Sequence, residues 1–228
     1  MKTHKPRRVT LFCGHYGSGK TNLAVNYALW QKAMGYPVVI ADCDIVNPYF
    51  RTKDSAAELE RAGITLISPQ FANTNLDLPA LPAALYGAVQ DRTRQAVLDI
   101  GGDDRGAYAL GRYAPYILEE NDYHMIFVAN FARPLTRTAE DALAVMAEIE
   151  AAAKIPFTAI VNNSNIGNLT TKEDVLATDA RARELSEKSG LPLLFTSAIA
   201  PIADTLPAEI GPVFGITLQK KYFDIKGE

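Results

Sequence analysis

The chain predicts an α/β fold: a mostly parallel, doubly wound sheet with helices on both faces. Three observations carry that expectation. Short β-prone apolar runs recur along the chain, helical patterns fall between them, and the first run passes through a glycine-rich turn straight into a helix.

Taken in order, Arg8 to Cys13 is the first strand-like run, and Asn22 to Trp30 follows with apolar residues at helical spacing. Further runs stand at Val38–Ala41, Ile64–Ile67, Ala96–Ile100, Met125–Ala129, Thr158–Val161 and Pro192–Thr196. They are apolar throughout rather than alternating, as strands covered on both faces are. The clearest helical patterns lie at Thr136–Ala153 and Lys172–Ser189. Right-handed crossovers between such elements give the parallel sheet. With no linker, low-complexity segment or repeat, residues 1–228 read as a single domain.

Composition narrows the function classes. The chain is 48% apolar and 21% charged, with a net charge of −3, so there is no global pull toward nucleic acid. Cys13 and Cys43 are too few for a disulfide framework and not spaced as a metal pair; they read as small buried strand-end residues. The basic start is followed by too short an apolar stretch for a secretory signal, and no window approaches a membrane span. The expected location is the cytoplasm.

The chemistry concentrates in Gly14-His15-Tyr16-Gly17-Ser18-Gly19-Lys20-Thr21, which reads as a phosphate cradle at a strand-to-helix turn. Glycines let the backbone wind so that successive N–H groups converge on an anion. Phosphate contacts fall to Gly14, Gly17, Ser18, Gly19, Lys20, Thr21 and Asn22, with Lys20 reaching the β- and γ-phosphates and Thr21 ligating Mg²⁺. The dipole of the helix opening at about Thr21 favours the same charge.

Ligands of such sheets bind beyond the carboxyl ends of the strands. The residues there are Asp42-Cys43-Asp44, Asp99-Ile100-Gly101-Gly102, Asn162-Asn163-Ser164-Asn165 and Ser197-Ala198. Acids and asparagines also suit turns after strands, and Arg51, Arg105 and Arg133 on the rim read as solvated charges, against a substitute cation for the site.

Together, the glycine-rich loop, the Asp42-x-Asp44 pair and Asp99-x-Gly101-Gly102 resemble the SIMIBI class of P-loop NTPases. Within it they resemble the MinD/ParA/Mrp-type ATPases of the CobQ/CobB/MinD/ParA nucleotide-binding group, from Val9 to about Pro201. The resemblance implies a three-layer P-loop sandwich with an Mg·ATP site whose switch segments sense the γ-phosphate. It places Asp42 near the Mg²⁺ shell, Asp44 on the attacking water, Asp99 on Mg²⁺ through water, Gly102 at the γ-phosphate and Asn162 at the base. Lys20, Asp42 and Asp44 are then the catalytic set, and Thr21, Asp42 and Asp99 the metal set. GTP-specific relatives carry Asn-Lys-x-Asp where this chain has Asn162-Asn163-Ser164-Asn165, which favours adenine. The group's signature lysine is replaced by His15, which is shorter and not a permanent cation.

The resemblance implies a slow ATPase acting as a nucleotide-driven switch for an unidentified partner, with nucleotide-dependent homodimerisation. Two alternatives stay open: a small-molecule kinase or ATP-dependent ligase of the CobQ/CobB kind, and an ATP-binding scaffold that does not hydrolyse. Thr217 to Glu228 reads as a closing segment packed on the sheet, against a membrane-surface helix, and Ser68 to Leu85 as core packing, against a partner face.

Overall fold

The computed structural model describes residues 4–44, 52–68, 84–102 and 104–219, with residues 53, 54, 104 and 105 described by their backbone alone. In chain order the elements are β1 (Val9–Cys13), α1 (Lys20–Ala33), β2 (Val38–Cys43), α2 (Ala56–Arg61), β3 (Thr65–Ile67), α3 (Ala84–Gln90) and β4 (Gln95–Ile100). There follow α4 (Asp104–Leu110), α5 (Ala114–Glu120), β5 (Tyr123–Ala129), α6 (Ala139–Ala153) and β6 (Ala159–Asn162). The last are α7 (Lys172–Leu176), α8 (Asp179–Ser189), β7 (Leu193–Ile199), α9 (Ala200–Ala203) and β8 (Val213–Ile216).

All pairings are parallel, in an eight-stranded sheet of order β3-β2-β4-β1-β5-β6-β7-β8. β4 therefore lies between β1 and β2, and the register sets Asp99 beside Phe12 on one side and Asp42 on the other.

Alternation along each strand sorts side chains into two cores. Val9, Leu11, Cys13, Leu98, Ile100, Met125 and Phe127 pack against α3, α4, α5, α6 and α8. Phe12, Val38, Ile40, Val97, Ile126 and Val128 pack against Leu23, Ala24, Tyr27 and Ala28 of α1 on the opposite face. Both faces are covered, which is why the strands read as unbroken apolar runs. By the same alternation Asp42 follows Ile40, and Asp99 follows Val97, onto the α1 face.

The doubly wound parallel sheet is as expected, with differences of local origin. β8 was not expected from the sequence: it is a four-residue edge strand, Val213-Phe214-Gly215-Ile216, too short to show a pattern. The expected Lys172–Ser189 helix is broken at Ala177 and Thr178, where Thr178 Oγ1 donates to Val175 O at 2.8 Å. α6 begins at Ala139 rather than Thr136, because Thr138 and Asp141 form a capping box, each side chain bonding the other's backbone N–H. Of the closing segment, Thr217 to Gln219 is described: Asn26 bonds both backbone groups of Thr217, and Asn22 Oδ1 accepts from Gln219 N at 3.0 Å. The remainder of that segment and most of the Ser68–Leu85 stretch lie outside the described residues.

At the opposite end of the sheet Arg8, 5% exposed, ties three elements together. Its guanidinium pairs with Glu120 at the end of α5 and donates to Val89 O and to Asp91 O beyond α3. Removing one partner of a buried pair leaves the other charge uncompensated. Arg8→Met is expected to cost about 3–5 kcal/mol in urea unfolding, and the double change with Glu120→Leu to recover much of it. Equal losses in the single and double variants would show that the ion pair is not what holds these elements.

His124 on β5 is a second such group. Its Nδ1 lies 2.9 Å from Thr158 Oγ1 and its ring stacks on His4 at 6.1 Å. Burial above all, then the neighbouring His4 and Arg7, hold its pKa down to about 4 against a smaller opposing effect of Asp122. The folded protein keeps the ring neutral while the unfolded chain protonates it near the ordinary value of about 6.5. Stability is thus present above that pH and lost as pH falls toward 4. The stability difference between wild type and His124→Gln should shrink by about 1 kcal/mol from pH 7 to pH 5, allowing for partial exposure. A pH-independent difference in chemical denaturation would refute the neutral, half-buried imidazole.

Candidate phosphate site

The residues expected at the site lie at the carboxyl ends of β1, β2, β4 and β6, and all but Asn162 of β6 are on the side of the loop. β1 ends at Cys13, and the loop from Gly14 to Gly19 leads directly into α1. A side chain on Gly14 would meet Val128 O of β5 at 2.7 Å, so only glycine lets the loop leave β1 here. Gly19, with φ of 86°, forms the N-cap of α1 in the left-handed region and supplies no side-chain cap. α6 and α7 close their N-termini with Thr138–Asp141 and Thr171–Asp174 boxes, whereas α1 has neither a side-chain cap nor an acid in its first turn. A helix start with neither a side-chain cap nor an acid presents its first N–H groups to an anion.

A loop that turns its amides toward one point must turn carbonyls outward, and those need donors. His15 O accepts from Ser18 N at 3.1 Å and from Lys20 Nζ at 3.2 Å, so the lysine, 6% exposed, is folded back along its own loop. Gly17 O accepts from Arg133 Nε at 2.9 Å, and Ser18 O from Asn163 Nδ2 at 2.7 Å. Ser197 Oγ of β7 in turn donates to Asn163 Oδ1 at 2.5 Å. The loop is thus held from the ends of β5, β6 and β7.

The acids gather on the other side. A Cβ built on Gly102 would stand 2.7 Å from Tyr16 N and 2.8 Å from Lys20 Nζ, so Gly102 lies directly against the loop and its lysine. Asp44 N donates to Asp42 Oδ1 at 3.1 Å, and the Asp44 carboxylate lies against Gly101. Thr52 Oγ1 donates to Asp99 Oδ2 at 3.0 Å, while Asp99 Oδ1 is buried without a hydrogen-bond partner among the described residues. Burial raises the Asp99 pKa to about 6; the Thr21 hydroxyl, the Lys20 ammonium and Thr52 pull it down, and Asp44 raises it. A carboxylate this buried, with one oxygen left over beside Thr21, suits a hydrated hard cation close by. The hydroxyl and carboxylate set of Thr21, Asp42 and Asp99 fits Mg²⁺ in donor type. Cys13 and Cys43 are buried, and burial pushes both thiols up, leaving them un-ionised.

The asparagines divide differently from the sequence expectation. Asn162 continues Ile160 onto the α8 face, where its Nδ2 donates to Thr178 Oγ1 at 3.1 Å and its Oδ1 accepts from Ser164 N and Oγ. Asn163, one residue on, faces the loop. Strand alternation, applied to the tip of β6, is the signal that would have found it. Arg133, read from sequence as solvated, is instead seated on Gly17; Arg51 and the Arg105 side chain lie outside the described residues. The Asn22 side chain is engaged by Gln219.

The sequence matches no family model and no curated protein. Solved structures do share the fold. The cell division protein FtsY of Thermotoga maritima is 20% identical with a TM-score of 0.57, over 85% of this chain and 62% of that one. The signal recognition particle receptor FtsY of Elizabethkingia anophelis, solved with GDP, is 17% identical with a TM-score of 0.54, over 86% and 58%. The fold is α/β and P-loop NTPase-like, an eight-stranded parallel sheet with helices as in these neighbours. The signal recognition particle 54 kDa protein of Aeropyrum pernix, also solved with GDP, agrees at 16% identity and a TM-score of 0.52, over 84% and 41%. This chain thus spans less than two thirds of the length of each of these proteins. At such identities the shared fold is what the likeness establishes.

Gly19→Ala tests the loop geometry. The new Cβ would lie 2.4 Å from Asn163 Nδ2 on a backbone with φ of 86°. Left-handed strain and the lost clamp together should cost about 1–3 kcal/mol in denaturant unfolding. An unchanged midpoint would mean that the loop does not hold this conformation.

Proposed function

We propose that the chain binds Mg·ATP in the loop from Gly14 to Thr21 and acts as a slow ATPase switch of the MinD/ParA type. The observation that carries this reading is the convergence of Lys20, Gly102 and the Asp42–Asp99 pair on one uncapped helix start. Lys20 would neutralise the β- and γ-phosphates, and Thr21, Asp42 and Asp99 would hold Mg²⁺ directly or through water. The bound metal would offset charge on the phosphate oxygens. Asp44, fixed by its backbone bond to Asp42, would orient the attacking water, while the Gly102 N–H would sense the γ-phosphate.

Base choice rests on the stretch Asn162-Asn163-Ser164-Asn165, which lacks the lysine and the acid of the Asn-Lys-x-Asp that GTP-specific relatives carry. Guanine's ring N–H and amino donors favour a carboxylate, whereas adenine's donor and acceptor edge suits amides and hydroxyls. This supports adenine, although two of the structural neighbours were solved with GDP. His15 and Tyr16 at the loop's outer edge, with Tyr16 54% exposed, support a partner meeting the site from outside, a second copy among the candidates. Residues 1–228 would form one domain in this role. Among the described residues no helix is long and apolar enough to cross a membrane.

Equilibrium titration with fluorescent ATP, competed by ATP and GTP, tests the reading. ATP should compete better than GTP, Lys20→Ala should lose tight binding, and Asp44→Ala should bind normally but hydrolyse at least about tenfold more slowly. Unaltered binding by Lys20→Ala would overturn the site, and wild-type hydrolysis by Asp44→Ala its assigned role.

A further inference from the structure

Two adjacent carbonyls of the phosphate loop are held from outside, and their holders differ in a way that asks for an explanation. Asn163 is a neutral, buried clamp with both amide atoms engaged, Nδ2 by Ser18 O and Oδ1 by Ser197 Oγ. Arg133 is half-buried and uses Nε alone, donating to Gly17 O at 2.9 Å. A Cβ on Gly17 would stand 3.5 Å from Arg133 Nε and 3.6 Å from Cζ, so the guanidinium itself lies against the loop. Among the described residues, Nη1 and Nη2 make no hydrogen bond and no carboxylate pairs with the charge.

The side chain springs from a rigid mount. Arg133 N donates to Asn130 O at 3.1 Å, Thr136 Oγ1 donates to the same carbonyl at 2.7 Å, and Ala132 N donates to Asn130 Oδ1 at 3.1 Å. Pro134 fixes the backbone immediately afterwards. A single carbonyl is satisfied by a neutral amide, as Ser18 shows. A cation placed there with no counter-ion among the described residues is a ready partner for an anion on the loop. The planar fork of arginine is also the side chain best matched to phosphate oxygens.

We propose that Arg133 is a phosphate-contacting residue of this site. Nε fixes the loop through Gly17, and the Nη edge engages the oxygens of a nucleoside triphosphate bound to the same loop. The site's second cation is thereby supplied from within the chain, following β5, rather than by a lysine inside the loop or by a partner. Because its charge acts on the polyphosphate, Arg133 discriminates triphosphate from diphosphate. This inference rests on the nucleotide-binding reading above.

Arg133→Gln retains an amide donor for Gly17 O and removes the charge; Arg133→Lys retains the charge and loses the fork; Arg133→Ala loses both. ATP and ADP dissociation constants are measured by titration calorimetry on the full chain, with ligand-free melting temperatures alongside. Arg133→Gln is expected to weaken ATP about tenfold and ADP distinctly less, with Arg133→Lys in between and the ligand-free melting temperature unchanged. An ATP affinity within about twofold of wild type in Arg133→Gln would overturn the proposal, leaving Arg133 a clamp on the loop. Equal weakening of ATP and ADP, accompanied by a lower ligand-free melting temperature, would overturn it in favour of scaffolding alone. Failure of the underlying reading looks different: wild type would bind neither nucleotide, or Lys20→Ala would bind both as wild type does.

Discussion

A sheet covered on both faces leaves one place for polar chemistry, the ends of its strands. Here Leu98, Ile100 and Met125 are committed to one core, and Phe12, Ile40 and Val97 to the other. Polar residues of the central strands therefore collect where the strands stop: Asp42, Asp99, Asn162 and Asn163. Register then decides which of them meet. β4 lies between β1 and β2, so Asp99 sits one strand from the phosphate loop and directly beside Asp42. Alternation aims both acids at α1, whose start is the positive end of a helix dipole.

The same packing shapes the electrostatics. Asp99 is nearly inaccessible, and burial lifts its pKa to about 6 despite help from Thr21, Lys20 and Thr52. An acid in that state gains from a cation arriving nearby, because the cation restores what lost hydration took away. Lys20 is near enough to lower that pKa, yet its ammonium is bonded to His15 O within its own loop. The loop is thereby charged and shaped before any phosphate enters, which spares a ligand part of the ordering cost.

Much of this could be read from residues alone, for physical reasons that also explain the rest. Strands buried on both faces announce themselves as apolar runs, and the glycine-rich loop states its backbone demands in its composition. The edge strand β8 could not be read, because four residues with a central glycine carry no periodicity. Nor could the break between α7 and α8, which depends on Thr178 finding Val175 O on one side and Asn162 on the other. The contacts of Arg133 and Asn163 were hidden for a different reason. They exist only once β5 and β6 are laid beside the loop, 116 and 145 residues away in sequence. Asn163 left a trace in the alternation of the strand it follows, and Arg133 in its place on the rim.

The placement of β4 also imposes an order of events on the growing chain. Among the described residues β1 pairs with β4 and β5, and β2 with β3 and β4. β1 is therefore made before either of its described partners, and it waits at least until residues 95–100 have been made. At a synthesis rate of about 5–20 residues per second, that interval lasts several seconds. Throughout it, the apolar segment that ends in the glycine-rich loop lacks both of its described partner strands. That loop is thus translated early yet anchored only after β4 has been made.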